Sequence, residues 1–119
     1  MSFRKLKAFE IAFEQAMEIF EITKTFPKEE TYSLTDQIRR SSRSVCANIS
    51  EAYRKRLYPK NYISKLSDSD AENAETLTWL EFALACKYIS PETKSKLEER
   101  NITVGKLINY MINNHEKFA

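Results

Sequence analysis

The fold of this chain is decided by residues 27–59, which read PKEETYSLTDQIRRSSRSVCANISEAYRKRLYP. A proline stands at each end, and proline is tolerated in the first turn of a helix but disfavoured in its interior. Between the prolines, apolar side chains recur at helical spacing and share one predicted face, formed by Ile38, Val45, Ile49 and Ala52. The stretch therefore predicts one long amphipathic helix with Thr35 as its N-cap.

A third proline completes the division of the chain into four helical segments. Pro91 lies between Ser90 and Glu92, a pattern typical of a helix start: a capping residue, a proline in the first turn and an acid. The predicted helices span residues 6–25, 35–57, 60–89 and 91–115. Long helices joined by short connections favour antiparallel neighbours, so we predict an all-α, up-down antiparallel four-helix bundle, one domain over residues 1–119.

Composition and the N-terminus exclude several other classes of protein. A single glycine in 119 residues argues against β-sandwiches and Rossmann folds, whose turns need many glycines. Glu10, Glu14 and Glu18 interrupt every apolar window near the N-terminus, so we predict neither a signal peptide nor a membrane partner. Cys46 and Cys86 both lie in apolar helical patterns and are predicted to be buried. The expected location is the cytoplasm.

Residues suited to catalysis are scarce. His115 is the only histidine, and no second metal ligand accompanies it at helical spacing. Gly105 is the only glycine, so no glycine-rich loop can cradle a phosphate. Di-iron bundles need a Glu-x-x-His pair on each of two helices, which one histidine cannot supply. We therefore predict no enzymatic activity, no metal and no cofactor.

Basic side chains concentrate on the second helix and the corner after it. Residues 37–60 contain seven basic residues and one acid, Glu51. At about 100° per residue, four of the arginines fall within roughly 100° of arc, opposite the apolar face. Guanidinium groups along one face suit phosphate contacts, because each neutralises backbone charge and releases counterions. The predicted nucleic-acid-binding residues are Arg39, Arg40, Arg43, Arg54, Lys55 and Arg56.

Aromatic residues accompany these cations, and acids compete for them. Tyr53, Tyr58 and Tyr62 interleave with the basic residues of the corner and are candidate stacking surfaces. In the alternative interpretation, acids of the third helix pair with the arginines inside the bundle. An antiparallel arrangement centred on residue 59 would bring Arg43 near Glu75.

A polar stripe also runs along the second helix, beside its apolar face. It faces a stretch of the third helix, residues 67–76, that contains no large apolar side chain. Such a pairing predicts close helix packing, polar bonding across the seam, or contact with another subunit. The predicted seam or interface residues are Gln37, Ser44, Asn48, Glu51, Ser69 and Glu72.

The first helix carries more apolar surface than a bundle interior needs. Its predicted core face consists of Phe9, Phe13, Ala16, Met17 and Phe20. Three isoleucines on neighbouring positions broaden that face, which indicates assembly with other subunits.

Several of these residues together resemble a known family. The sequence is similar to the 23S rRNA-intervening sequence protein family of four-helix bundles, also labelled S23 ribosomal protein. The stretch 26–54 carries most of the similarity, through Phe26-Pro27, Gln37-Ile38-Arg39-Arg40, Ser44-Val45, Asn48-Ile49, Glu51 and Arg54. The family pattern differs at positions where helices pack closely: Ala52 and Asp68 stand where the family usually has glycine.

The resemblance implies a bacterial protein that assembles as a ring-like homopentamer. A similar fold occurs in the accessory proteins of diversity-generating retroelements, which bind nucleic acid and a reverse transcriptase. Two hypotheses follow for this chain. Either it is a nucleic-acid-binding, RNA-associated accessory protein that uses the basic face, or it is a protein-interaction scaffold whose arginines pair internally and whose polar stripe holds the subunits together.

Overall fold

A computed structural model describes residues 2–118 of the chain, and all its regular structure is helical. Four α-helices, α1 to α4 in chain order, span Lys7–Thr23, Leu34–Arg54, Pro59–Ala85 and Pro91–Asn113. Three 3₁₀ turns flank them, at Phe3–Lys5, Lys28–Glu30 and His115–Lys117. No strand occurs in residues 2–118, which confirms the all-α prediction. No helix in that range combines the length and the apolar character needed to cross a membrane.

The helices pack as an antiparallel bundle measuring 44 × 25 × 20 Å. Each packs against its neighbour in the chain, α1 closes the bundle against α4, and the α2–α3 pair is the most extensive. The α2–α3 connection holds only residues 55–58. Because α2 is about 30 Å long at 1.5 Å per residue, so short a connection forces α3 to return alongside it.

The core confirms the predicted face of α2 and corrects that of α1. All four residues of the predicted α2 face are fully buried: Ile38, Val45, Ile49 and Ala52. On α1, however, Phe13 and Met17 are 51% and 45% exposed, so the predicted face is wrong. The buried side of α1 consists largely of small residues, which let the neighbouring helices approach closely: Ala8, Ala12, Gln15, Ala16, Ile19 and Thr23.

The helix starts follow prediction at α4 and depart from it at α2. Ser90 caps α4 as expected, since its Oγ accepts a hydrogen bond from the Thr93 N–H at 3.1 Å. Thr35 does not cap α2: the helix begins at Leu34, and Thr35 is buried inside its first turn. Glu30 satisfies a free donor there, because its Oε1 accepts from the Leu34 N–H at 3.2 Å.

A layer of buried amides crosses the bundle between α1, α3 and α4. Asn101 Nδ2 donates to Gln15 Oε1 at 2.9 Å, and Gln15 Nε2 donates to Asn73 Oδ1 at 3.2 Å. Asn73 Nδ2 completes the set by donating to the backbone carbonyl of Asn101 at 2.9 Å. All three side chains are almost fully buried. Because each amide finds its partners inside the layer, burial of these polar groups is compensated.

The end of α3 contains a strained residue. Lys87 has a φ of 65°, in the left-handed region that favours glycine. The Tyr88 N–H donates to the Ala83 carbonyl and the Lys87 N–H to the Leu84 carbonyl, each at 2.9 Å, which is the Schellman pattern of a helix end.

We expect Lys87→Gly to raise the free energy of unfolding by about 1 kcal/mol, because glycine adopts this conformation without a Cβ clash. Urea denaturation at neutral pH measures the change. Lys87→Ala is the matched control: it removes the same charge and keeps the Cβ, so it should bring no gain. Equal stabilisation by both variants would assign the effect to charge and contradict the argument from strain.

Candidate nucleic-acid interface

The arginines predicted along one face of α2 turn in two directions. Arg40 reaches α3, where its guanidinium forms ion pairs with Glu72, at 2.9 Å, and with Glu75. The predicted approach of Arg43 to Glu75 is therefore wrong: Arg40, one helical turn earlier, occupies that position. Arg40 therefore follows the alternative interpretation, in which acids of the third helix pair with the arginines of the second.

Arg39 and Arg43 turn towards α1 instead. Arg39 Nε donates to Thr23 Oγ1 at 2.8 Å, and its guanidinium lies 4.7 Å from the centre of the Phe20 ring. The Arg43 guanidinium lies 5.7 Å from the same ring. Arg39 is half-buried in this arrangement, whereas Arg43 is exposed. Phe20 is therefore an apolar platform that orients both cations without neutralising them.

An open groove of about 490 Å³ runs along the exposed side of α2. Guanidinium groups and hydroxyls dominate its walls, with one carboxylate among them. The lining residues are Thr31, Thr35, Asp36, Arg39, Arg40, Arg43, Ser44 and Ala47. Hydroxyl and guanidinium donors on one wall suit an anionic group such as a phosphate.

The corner after α2 carries the remaining predicted cations. Arg54 and Lys55 are exposed, and neither forms an ion pair with a carboxylate of residues 2–118. Arg56 lies 4.2 Å from the centre of the buried Tyr53 ring, and its Nη1 donates to the Tyr53 carbonyl at 2.9 Å. Of the three tyrosines predicted as stacking surfaces, Tyr53 and Tyr62 are buried, and Tyr58 is 60% exposed.

The polar stripe lies along the seam between α2 and α3. Ser69 Oγ donates to the Val45 carbonyl at 2.8 Å, and Thr76 Oγ1 donates to Ser41 Oγ at 2.9 Å, all within the core. At the outer edge of the seam, Glu51 pairs with Lys65 at 2.9 Å. The half-buried members of the stripe on α2 are Gln37, Ser44 and Asn48. Small polar side chains therefore let the two helices approach closely and bond directly.

The groups best suited to chemistry are dispersed. Residues 2–118 contain no group of three or more His, Cys, Asp and Glu side chains placed to bind a metal ion. Cys46 is buried as predicted, and burial raises the pKa of its thiol to about 11. Cys86 is exposed, which corrects the prediction for that residue, because it lies just beyond the last turn of α3.

The protein is therefore an antiparallel helical bundle with exposed cations on α2 and on the corner that follows it. The family model for the 23S rRNA-intervening sequence protein matches residues 4–110. The chain therefore belongs to the 23S rRNA-intervening sequence protein family, as the residues of 26–54 predicted.

One solved structure places the same fold in a relative. It is the crystal structure of a protein of unknown function from the S23 ribosomal protein family of Bacteroides thetaiotaomicron, with a TM-score of 0.82 and 28% sequence identity. The similarity covers 90% of this chain and 96% of that one. A comparison with curated proteins found no match.

Proposed function

We propose that this protein is a non-enzymatic, nucleic-acid-binding member of its family, and that it contacts the phosphate backbone through α2 and the corner that follows. The observation that carries the proposal is the set of exposed cations without acidic partners in residues 2–118: Arg43, Arg54 and Lys55. Arg40 contributes less, because Glu72 and Glu75 already neutralise it.

The spacing of these cations suits a polyanion. Arg43 and Arg54 are eleven residues apart on one side of α2, about 16 Å along the helix axis at 1.5 Å per residue. Charges spread over that length can contact several successive phosphates and release their counterions. A compact anion would occupy only one of these positions, so the arrangement favours a nucleic acid.

We expect the double variant Arg43→Glu/Arg54→Glu to bind a 20-nucleotide RNA at least tenfold more weakly than the wild type. Fluorescence anisotropy across a salt series measures both the affinity and its salt dependence. The slope of log affinity against log salt should become less negative by about 1.4, because two phosphate contacts are lost.

Two controls make this test specific. Lys28→Glu/Lys87→Glu makes the same change in charge at the other end of the bundle and should leave affinity within about twofold. Arg40→Gln/Glu72→Gln removes a cation together with one of its acidic partners, keeps the local net charge, and should also have little effect. If Arg43→Glu/Arg54→Glu binds as tightly as the charge-matched control, this surface is not the binding site.

A second candidate function, a scaffold for protein assembly, is favoured by the exposed apolar side of α1. The Phe9 and Phe13 rings stack with their centres 5.9 Å apart, and Met17 extends the apolar strip by one turn. Exposed apolar strips of this kind favour subunit contacts. Together with the family resemblance, this supports a ring-like homo-oligomer.

We expect Phe13→Glu/Met17→Glu to lower the assembled mass in sedimentation velocity. Phe82→Glu is the control, because Phe82 on α3 is 53% exposed, much like Phe13, and lies outside the strip. An unchanged mass for Phe13→Glu/Met17→Glu would exclude the α1 strip as the subunit interface.

A further inference from the structure

The bundle topology brings four separate segments to one end. The N-terminal 3₁₀ turn contacts α2, and the C-terminal turn contacts α3. Side chains from α1, α2, α3 and α4 meet in one core cluster beneath this end, including Ala8, Tyr53, Tyr62 and Met111. Residues that are distant in sequence therefore share one surface, and this surface extends beyond α2 to the other elements of the bundle.

This surface, the basic end, gathers cations from several elements of the chain. Its cations are Arg4, Lys5, Lys7, Arg54, Lys55, Arg56, Lys60 and Lys117. Among them, Lys7 alone pairs with a carboxylate of residues 2–118, Glu10, at 3.9 Å. Residues 52–67 contain no Asp or Glu at all. Uncompensated charges gathered from several elements create a local positive potential that attracts polyanions.

The α2–α3 corner also carries an exposed aromatic residue, Tyr58, which lies between Lys55 and Lys60 in the sequence. The Tyr58 N–H donates to the Lys55 carbonyl at 2.8 Å, and the Tyr58 carbonyl accepts from the Tyr62 N–H at 2.9 Å. Pro59 follows as the first residue of α3, so its ring further restricts the backbone. Tyr58 is therefore an exposed side chain on a backbone held at both its N–H and its carbonyl.

We propose that the basic end binds single-stranded nucleic acid, with an unpaired base stacked on Tyr58 and the adjacent phosphates held by Lys5, Lys55 and Lys60. This inference rests on the proposed function and specifies the class of nucleic acid that is bound. In a duplex the base faces are covered by neighbouring bases, so stacking on a tyrosine ring requires a base step to be unstacked first. A splayed single strand offers base faces and phosphates together.

An anionic membrane surface would also attract these cations but fits the corner less well. Membrane-surface helices present a continuous apolar face beside their cations. Here the exposed large apolar side chains lie on separate elements, Leu57 and Tyr58 in the α2–α3 corner and Tyr110 near the end of α4. The chemistry therefore favours alternating base and phosphate contacts over insertion into lipid.

The test compares a labelled 20-nucleotide single strand with a 20-base-pair duplex by anisotropy on the full chain. Tyr58→Ser should weaken single-strand binding about tenfold and leave duplex binding unchanged. Tyr58→Phe, which keeps the ring, should retain wild-type affinity. Tyr32→Ser is the matched control, since Tyr32 is 95% exposed and precedes α2, at the opposite end of the bundle.

A charge variant tests whether several elements contribute. Lys5→Glu/Lys60→Glu changes residues outside α2 and should reduce the salt slope for the single strand by about 1.4. The charge-matched control is again Lys28→Glu/Lys87→Glu. Circular dichroism confirms that each variant remains helical before affinities are compared.

Three outcomes would overturn the inference in different ways. Equal binding of duplex and single strand, with Tyr58→Ser unaffected, would reject base stacking and leave the proposed function standing. No binding of either nucleic acid at 50 mM salt would reject both. Binding to vesicles containing phosphatidylserine, lost in Tyr58→Ser and Lys5→Glu/Lys60→Glu while nucleic-acid binding persists unchanged, would assign the basic end to a lipid surface.

Discussion

Asn101→Leu is expected to lower the free energy of unfolding by about 3 kcal/mol. The Asn101 side-chain amide donates to Gln15 Oε1, and the Asn101 backbone carbonyl accepts from Asn73 Nδ2. Leucine cannot replace the donor, so Gln15 is left with an unpaired oxygen in the core. Unpaired polar groups in a buried layer are costly because water cannot reach them. Urea denaturation followed by circular dichroism measures the change.

A triple variant separates this explanation from a simple loss of packing. Gln15→Leu/Asn73→Leu/Asn101→Leu removes every side-chain amide of the layer, so no partner remains unpaired. Its destabilisation should fall well below the sum of the three single variants, since neighbouring sites in one network are not additive. If Asn101→Leu alone changes the unfolding free energy by less than about 0.5 kcal/mol, the layer does not stabilise the bundle.

Ser69→Leu is expected to destabilise the protein by about 3 kcal/mol through steric overpacking. Ser69 is fully buried, and its Oγ donates to the Val45 carbonyl of α2 at 2.8 Å. A leucine in that position must push α2 and α3 apart along their most extensive contact. Ser69→Ala, which removes only the hydrogen bond, should cost about 1 kcal/mol.

The control for this series is Ser67→Leu, because Ser67 is exposed on the same helix. It should change stability by no more than about 0.5 kcal/mol. Denaturation midpoints of the three variants rank the effects directly. A similar cost for Ser69→Ala and Ser69→Leu would mean that the helices can separate without penalty, and the close seam would then have no energetic importance.

The sequence predicted the buried face of α2 correctly and that of α1 incorrectly. Periodicity identifies a buried face only where the rest of the helix is polar. On α2 one apolar arc stands against charged residues, so periodicity identifies it without ambiguity. On α1 a phenylalanine arc and an alanine–isoleucine arc overlap, and both are apolar. Packing selects the smaller residues, because they let α2 and α4 approach. Gln15 lies within the alanine–isoleucine arc, and a single polar residue there gave no signal of the buried amide layer.

The sequence predicted that the arginines share one side of α2, but not which neighbouring helices their side chains reach. A helical wheel places the arginines on one arc, yet long side chains at its edges reach different neighbours, so Arg40 contacts α3 and Arg39 contacts α1. The register was wrong by one helical turn. The pairs Arg40–Glu75 and Glu51–Lys65 are centred on residues 57–58 rather than 59, because α2 ends at Arg54.

The contrast between the two cysteines has a practical consequence for handling the protein. Cys46 is buried and its raised pKa of about 11 keeps the thiol protonated, whereas Cys86 is exposed at the end of the bundle opposite the basic end. A maleimide reagent should therefore label the folded wild-type chain at one position. A fluorophore or surface tether attached there leaves the basic end free in solution, so immobilised protein would be correctly oriented for binding measurements without any cysteine substitution.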